Sequence, residues 1–186
     1  MGWKNNLKKR KGIITVAIDS PAAAGAGTQA KMIAKEYNLQ YLDTGKLYRL
    51  VGKLKLDNQE NFNYQIIKDK MKMLKLSDLK NKKLLSDEVA NSASIIAKDK
   101  KIRKIIKKFQ LDFAYNPPKI FSGSVLDGRD ITSRIMKDAM FKFYITANIN
   151  IRAQRRFKEY VKIKKKISYK DVLKSLKTRD YLDKTR

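Results

Sequence analysis

A chain of 186 residues, of which 42% are apolar, is long enough to form one domain with a buried core. Since it contains neither cysteine nor histidine, it has no disulfide framework, no thiolate or imidazole metal site and no imidazole base. The excess of 44 Lys and Arg over 18 Asp and Glu gives a net charge of +26, which favours a polyanionic partner unless lysine merely covers the surface.

The N-terminal region carries a cluster of basic residues rather than a targeting segment. Only about six apolar residues follow the cluster from Lys8 to Lys11, which is too few for a signal peptide. No apolar run reaches the roughly 18 residues that a membrane span needs. We therefore interpret residues 1–12 as a basic tail, and we expect a cytoplasmic protein without a membrane partner.

Residues 13–31 combine a short strand, a loop of small residues and the start of a helix. The β-branched, apolar run at 13–18 predicts a buried strand, and Thr28 opens a run with helical spacing. Such a loop can cradle phosphate, because backbone N–H groups and the helix dipole point at one spot and small side chains let the backbone approach. The predicted phosphate-binding loop consists of Ser20, Pro21, Ala22, Ala23, Ala24, Gly25, Ala26, Gly27 and Thr28.

The loop departs from the usual P-loop pattern at two positions. Ser20 stands in place of the first glycine and gives up the easy positive φ of that residue. Ala26 stands in place of the lysine that contacts the outer phosphates as a point charge. On this stretch alone, an ordinary turn of Gly and Ala explains the pattern equally well.

The elements after the loop predict a parallel sheet covered by helices. A helix is expected at residues 28–37 and a short strand at 39–43. A strand, a loop, a helix and a second strand in this order form a βαβ unit, in which the two strands run parallel.

The middle of the chain is predicted to be mainly helical. Residues 45–75 are interpreted as helices with a polar break at 57–59, and residues 76–86 as a loop or a small degenerate element. A long helical region is expected at 86–115, because Ser86, Asp87 and Glu88 suit a helix start and the prolines just after the region stop it.

The last third of the chain returns to strands and then becomes strongly basic. A third strand is predicted at 119–126, immediately before a cluster of charged residues at 127–130, and a fourth strand at 141–146. Residues 148–166 and 168–183 are predicted to form basic helices.

A series of motifs follows one order along nearly the whole chain. They are the loop at 20–28, LDTGKLYR at 42–49, EVANSAS at 88–94 with Arg103 nine residues later, LDGRDI at 126–131, the run at 138–156 and KTRDYLDKTR at 177–186. In this order and at this spacing, the motifs resemble the cytidylate kinases, which are P-loop nucleoside monophosphate kinases. Each motif is weak alone, and their common register makes the resemblance specific.

The resemblance implies an α/β P-loop fold with a parallel sheet of order 2-3-1-4, flanked by helices and without the family's fifth strand. It implies a single kinase domain at 13–186, whose core lies at 13–44 and 119–147. The acceptor-binding region is expected at 45–118, and a lid at about 152–170, whose Arg152, Arg155 and Arg156 the resemblance implies to neutralise charge on the transferring phosphoryl group.

Parts of the chain are shorter than the resemblance leads one to expect. Without a fifth strand, residues 141–146 become an unpaired apolar sheet edge, which is a liability, so we expect a truncated or fragmentary sequence. The segment between Arg49 and Glu88 is short, so the family's small β insert is expected to be reduced or absent. Leu85 also stands where the family often has an arginine.

The resemblance implies transfer of a phosphoryl group from ATP to CMP or dCMP, with Mg²⁺ bridging the donor phosphates. These nucleotides are the expected partners, and a monomer is expected. The implied catalytic residues are Asp127, near the metal and the transferring group, and the arginines that neutralise phosphate charge, Arg129, Arg152 and Arg156. The alternative for Asp127, Arg129 and Asp130 is a structural network in which they satisfy one another.

The implied substrate-binding residues divide into groups by the part of the acceptor that each contacts. They are Thr44 and Tyr48 at the crevice, Arg49, Arg129 and Arg186 on the acceptor phosphate, Ser94, Arg103 and Asp130 on the cytosine, and Arg179 and Asp183 on the ribose. The alternatives are a surface ion pair for Arg49, close helix packing for Ser94 and a solvated face for the basic helices.

Because Ala26 stands in place of the loop lysine, the loop lacks the positive charge that would contact the outer phosphates. A single charge contact to the transition state is worth about 10² to 10³ in rate, so another cation must replace it or activity is weak. Lys31, Lys46 and a lid arginine are candidates. Lys46 is preferred, because the resemblance leads us to expect a small residue at that position.

Two rival functions remain open. The chain can be a nucleotide-binding pseudokinase that no longer transfers phosphate, because of Ala26 and the missing C-terminal segment. Nucleic-acid binding through the basic helices at 98–108 and 152–170 is the less favoured rival, because no stacking motif of aromatic residues accompanies them.

Overall fold

The computed structural model describes residues 9–162, 164 and 166–184, so residues 1–8 of the basic tail and Arg186 lie outside the described residues. None of the helices in these ranges is long and apolar enough to cross a membrane. The strands and α-helices, in chain order, are β1 (Ile14–Asp19), α1 (Ala26–Glu36), β2 (Leu39–Asp43), α2 (Thr44–Asn58), α3 (Tyr64–Lys72), α4 (Asp87–Ile96), α5 (Lys100–Tyr115), β3 (Gly123–Gly128), β4 (Phe141–Tyr144), α6 (Ile149–Lys162) and α7 (Tyr169–Lys184).

The sheet is parallel, and its strands lie in the order β2-β3-β1-β4, which confirms the predicted α/β fold and strand order. At one end of the sheet, Asp19 of β1 lies opposite Gly128 of β3, and Asp43 of β2 lies opposite Asp127. The carboxyl ends of these three strands therefore meet along one edge. In open α/β sheets, ligands bind at this edge.

Helices cover both faces of the buried strands. On one face, Val16 and Ile18 of β1 pack with Ala26 of α1. On the other face, Ala17 and Leu126 belong to the larger core formed with α2 to α5. Since β1 and β3 are enclosed on both sides, apolar residues follow one another along them, at 16–18 and 125–126, instead of alternating with polar ones.

The predicted helical region at 86–115 is divided into α4 and α5 at residues 97–99. The division arises because the carboxylate of Asp99 accepts hydrogen bonds from the N–H groups of Lys101 (2.7 Å) and Ile102 (3.0 Å) and so caps α5. The segment predicted as a loop or small element at 76–86 forms two 3-10 turns, Leu76–Lys80 and Lys82–Leu85.

The third strand begins at Gly123, four residues later than the predicted start at 119. A Cβ atom on Gly123 would lie 1.8 Å from the carbonyl oxygen of Ile14, so only glycine allows β3 to approach β1 here. The residues just before the strand form a turn, in which Phe121 N donates to the carbonyl of Pro118 at 3.0 Å.

Strand β4 forms an exposed, apolar edge of the sheet. The side chains of Phe141, Phe143 and Tyr144 are 47%, 45% and 69% exposed. β4 pairs with β1 on one side, and within the described ranges no strand pairs with its other side. The apolar edge expected at 141–146 is therefore present, but the strand ends at Tyr144, two residues earlier than predicted.

Candidate active site

The loop between β1 and α1 has the backbone of an anion-binding site. Gly25 caps the N-terminus of α1 with a left-handed φ of 97°, and Ala23 is also left-handed, with φ 59°. Left-handed residues in such a loop turn neighbouring N–H groups toward one concave side. The amides of Ala26 and Gly27 lie in the first turn of α1, where no earlier helix carbonyl is available to accept them.

The strained position of this loop is Ala23, not Ser20. Ser20, where we expected the loss of an easy positive φ, is not among the residues with positive φ. The left-handed conformation costs an alanine about 1 to 2 kcal/mol, because its Cβ approaches the next carbonyl oxygen. The tight turn that glycine would permit therefore falls three residues later than the sequence pattern suggested.

Three arginines hold this loop from its carbonyl side. Their guanidinium groups donate to every second carbonyl oxygen of the loop. Arg129 donates to the carbonyl of Ser20, Arg152 to that of Ala22 at 3.1 Å, and Arg155 to that of Ala24 at 3.3 Å. Because these bonds engage the carbonyl groups, the amides of the loop are directed to its other side.

Arg152, for which a catalytic role was expected, bonds to several groups of the protein in this structure. Its side chain is only 5% exposed. Four of its five N–H groups donate to Ala147 O (2.9 Å), Ala22 O (3.1 Å) and the two carboxylate oxygens of Asp180 (3.1 and 2.5 Å). The guanidinium of Arg152 therefore joins the loop, the start of α6 and α7.

The predicted lid at 152–170 consists of most of α6 and the start of α7. A small apolar cluster packs these helices against the loop, since Ala22 touches Ala153 of α6 and Val172 of α7. Arg156, the other predicted catalytic arginine of the lid, pairs with Glu159 at 2.9 Å.

Two carboxylates lie beside the loop at the ends of β2 and β3. Burial, followed by the nearby charge of Asp43, raises the pKa of Asp127 to about 7. One oxygen of Asp127 is buried and accepts no hydrogen bond within the described residues, while the hydroxyl of Tyr41 contacts the carboxylate. A Cβ on Gly27 would lie 3.6 Å from Asp127 Oδ2, so this carboxylate borders the first turn of α1.

Several side chains at this edge fix the loops, and sequence reasoning had missed one of them. Asp19 is 5% exposed, and its carboxylate accepts from the N–H groups of Ile131 (2.6 Å) and Thr132 (3.0 Å). Thr44, expected in the crevice, is buried and donates its hydroxyl to the carbonyl of Asp127 at 2.8 Å. An acid that ends a buried strand is the feature that could have revealed Asp19.

The arginines expected at the acceptor converge on one another. The pKa of Arg49 is lowered by burial and then by the positive charges of Arg179 and Arg156. The pKa of Arg129 is likewise lowered by burial and then by Arg179. Arg49 also donates to the carbonyl of Leu84 at 2.7 Å. An anion bound beside these arginines would relieve the repulsion that Arg179 exerts on Arg49 and Arg129.

A cavity of about 160 Å³ adjoins the arginine cluster. Its lining consists of Arg103, Arg129, Asp130, Ser133, Arg134 and Asp183. Arg103 and Asp130 form an ion pair across α5 and the end of β3, and Arg129 pairs with Asp183 at 3.1 Å. The sequence had singled out four of these six residues and had missed Ser133 and Arg134.

The remaining predicted contacts are less well placed. Ser94 is exposed on α4, where its hydroxyl donates to the carbonyl of Asn91 at 2.8 Å, and it does not line the cavity. Tyr48 is half-buried on α2 and packs against the larger core. Lys46 makes no hydrogen bond or ion pair with the described part of the chain.

An anion-binding loop after β1, carboxylates at the neighbouring strand ends and converging arginines define a P-loop nucleotide-binding α/β protein of the nucleoside monophosphate kinase class. A family model described as Cytidylate kinase matches residues 16–186. The chain therefore belongs to the cytidylate kinase family.

Curated relatives in several bacteria agree with this assignment. A cytidylate kinase of Bartonella tribocorum is 42% identical over 178 residues, covering 92% of this chain and 78% of the relative. A cytidylate kinase of Fusobacterium nucleatum is 38% identical over 183 residues, covering 93% and 82%. A cytidylate kinase of Clostridium botulinum is 36% identical over 186 residues, with the same two shares, 93% and 82%.

Proposed function

We propose that this protein transfers the terminal phosphoryl group of ATP to CMP or dCMP, which gives ADP and CDP or dCDP. The observation that carries the proposal is the meeting of two anion sites at one sheet edge. The loop after β1 offers amides, and Arg49, Arg129 and Arg179 offer positive charge close by. Two nucleotides could therefore bind with their phosphates end to end.

At the donor end, the loop backbone suits the phosphates of ATP. Gly25 and Ala23 shape the concave side, and the N-terminus of α1 adds its dipole. Asp127 and Asp43 suit Mg²⁺, since a hard cation prefers carboxylate oxygens and one buried oxygen of Asp127 has no hydrogen bond within the described residues. Bound there, Mg²⁺ would neutralise charge on the donor phosphates.

At the acceptor end, the arginines hold the phosphate that receives the group. A guanidinium binds phosphate oxygens in a bidentate way, which fixes the direction of attack as well as the charge. Most of the catalytic effect then comes from positioning and charge neutralisation, because phosphoryl transfer requires little covalent participation by the protein.

The pair Arg103 and Asp130 supports selection of cytosine. Cytosine presents an amine that donates and adjacent atoms that accept, so a carboxylate beside a guanidinium matches its edge. A base with the opposite pattern of donors and acceptors could not form the same hydrogen bonds with this carboxylate and guanidinium. Such a mismatch costs far more in specificity than a lost apolar contact does.

The proposal is tested by measuring ADP formation with CMP, dCMP, UMP and AMP at matched concentrations. We expect kcat/KM for CMP or dCMP to exceed that for AMP by about 10²-fold or more. Arg103→Met should reduce this ratio, while Lys104→Met, which removes an exposed charge from the same helix, should leave it unchanged. Faster turnover of AMP than of CMP would refute the base assignment, and no turnover with any acceptor would refute the activity.

A further inference from the structure

Tyr41 of β2 lies beside the active site, and the reaction proposed above gives it no role. Its backbone is paired with Val125 of β3. Side chains two residues apart on a strand point to the same face of a sheet. The side chain of Tyr41 therefore shares a face with that of Asp127, which comes two residues after Val125. A diagonal neighbour on the next strand is within the reach of an aromatic side chain.

The structure shows that Tyr41 makes this contact. Its hydroxyl contacts the carboxylate of Asp127. A Cβ on Gly27 would lie 3.4 Å from the Tyr41 hydroxyl and 3.6 Å from Asp127 Oδ2, so both groups border the same residue in the first turn of α1. At neutral pH a tyrosine hydroxyl is protonated and can donate a hydrogen bond to a carboxylate oxygen. Tyr41 thus connects Asp127 to the start of the helix that follows the phosphate-binding loop.

The ring of Tyr41 is held by the elements around it. It packs against an apolar cluster that includes Val16 and Ile18 of β1 and Ala30 of α1. The Nζ atom of Lys31, one of the candidates for the missing loop charge, lies 5.9 Å from the centroid of the ring, near the outer limit of a cation–π contact. Because β1, β2 and α1 together fix the ring, the hydroxyl at its tip has a defined position.

The other charged groups near Asp127 do little to orient its carboxylate. Asp43 lies opposite Asp127 and carries a like charge, which repels the carboxylate. The positive charge of Arg129 attracts it, but the guanidinium of Arg129 donates to Ser20 and pairs with Asp183. The Oδ1 atom of Asp127 is buried and accepts no hydrogen bond within the described residues, which leaves it available to a cation.

We propose that Tyr41 is a positioning residue, whose hydroxyl holds the carboxylate of Asp127 in place for the Mg²⁺ that accompanies ATP. The inference rests on the proposed function, because it assigns a role within that same site. A partner that orients a metal-binding group contributes about 10- to 100-fold to metal affinity or activity. The alternative is that Tyr41 only fills the layer between the sheet and α1, in which case its hydroxyl is dispensable.

Tyr41→Phe tests the proposal, because it removes the hydroxyl and keeps the ring. We measure the Kd of ATP by calorimetry with excess Mg²⁺ and, in parallel, with a chelator. The replacement should raise the Kd of MgATP about 10-fold or more and change the Kd of metal-free ATP by less than about 2-fold. In the kinase assay, the Mg²⁺ concentration that gives half the maximal rate should rise by about 10-fold as well. Tyr115→Phe, which removes the hydroxyl of a buried tyrosine in the larger core, is the matched control and should change none of these values.

The same replacement in an Asp127→Asn background shows whether Tyr41 acts through Asp127. Asp127→Asn should itself weaken the binding of MgATP. Adding Tyr41→Phe should then change the Kd by less than about 3-fold, because the group that the hydroxyl positions is no longer a carboxylate. An equal loss from Tyr41→Phe in both backgrounds would overturn the proposal.

A purely structural role for Tyr41 predicts a different pattern, in which the two Kd values for ATP rise together or neither changes. Either result would refute the positioning role, as would a wild-type protein that binds ATP equally well with and without Mg²⁺. If the wild-type protein does not phosphorylate CMP, the proposed function fails. The calorimetric comparison still decides the role of Tyr41 in that case, because it requires no turnover.

Discussion

Ala23 and Asp127 are two residues of the active site that are held in unfavourable states. Ala23 adopts a left-handed conformation that glycine would adopt without strain. Asp127 is a buried carboxyl group beside a second carboxylate, with one oxygen that accepts no hydrogen bond within the described ranges. Strain and unpaired charge are common at functional sites, because the surrounding structure enforces a geometry that the ligand needs.

Replacing Ala23 by glycine is expected to stabilise the protein. Relief of the left-handed strain outweighs the extra flexibility that glycine brings to the unfolded chain, so the free energy of unfolding should rise by about 0.5 to 1 kcal/mol. Urea denaturation of Ala23→Gly measures it. Ala24→Gly is the control, because Ala24 is buried and is not among the residues with positive φ, and it should lower stability. A loss of stability in Ala23→Gly would contradict the prediction.

Asp127 is expected to make the protein less stable as the pH rises. Its folded pKa of about 7 lies above the ordinary value, because burial and Asp43 disfavour the charged form. Between about pH 4 and pH 7 the folded state retains a proton that the unfolded state has released, so stability falls over this range.

Asp127→Asn should remove that fall in stability. We expect the variant to exceed the wild type by up to about 4 kcal/mol in free energy of unfolding at pH 8, and by less at pH 5. Denaturation at both values, with a chelator present, measures the difference. Asp138→Asn, an exposed acid, serves as the control. A difference that does not change with pH would show that the carboxyl group titrates normally.

Among the helices, α6 depends on one buried ion pair for its position. Arg152 joins α6 to Asp180 of α7 and to the loop carbonyl of Ala22. The side chains of the pair are 6% and 18% exposed, so removal of one partner leaves the other charge buried and unpaired.

Arg152→Ala is therefore expected to lower the free energy of unfolding by about 3 to 5 kcal/mol. Replacing both partners, as in Arg152→Met with Asp180→Leu, should cost less than either single change, because no charge remains buried. Denaturant unfolding of the four proteins measures this. Glu159→Ala breaks an exposed pair on the same helix and should cost less than about 1 kcal/mol. Additive losses in the double variant would contradict a buried pair.

Across the molecule, part of the net charge of +26 comes from arginines that lie near one another around the acceptor site. Around the acceptor site, burial and then the nearby positive charge of Arg179 lower the pKa values of Arg49 and Arg129. A phosphate group bound there would relieve this repulsion, so the folded protein should be stabilised by anionic ligands in particular.

CMP should therefore stabilise the protein far more than cytidine does. At about 100 times its Kd, CMP contributes about 2.7 kcal/mol, or roughly 5 to 10 °C in Tm for a chain of this size. Thermal unfolding with equal concentrations of CMP and cytidine measures the difference, and Arg49→Ala should reduce it. Equal shifts from CMP and cytidine would show that the arginines do not bind the phosphate.

The amino-acid sequence sufficed for the features that depend on neighbours along the chain. The strand, loop and helix at 13–31 are specified by an apolar run, small residues and helical spacing, and the resemblance of the ordered motifs led to the strand order. The boundaries that shifted, such as the division at Asp99, depend on single capping bonds that periodicity does not reveal.

Only the tertiary structure decided which atoms each polar side chain contacts. Arg152 was expected on a substrate, yet its guanidinium bonds to a carbonyl 130 residues earlier in the chain. The contact of Arg155 with Ala24 likewise depends on how α6 packs against the loop. Residue type and spacing establish that a charge is present, but its partner depends on segments that meet only after folding.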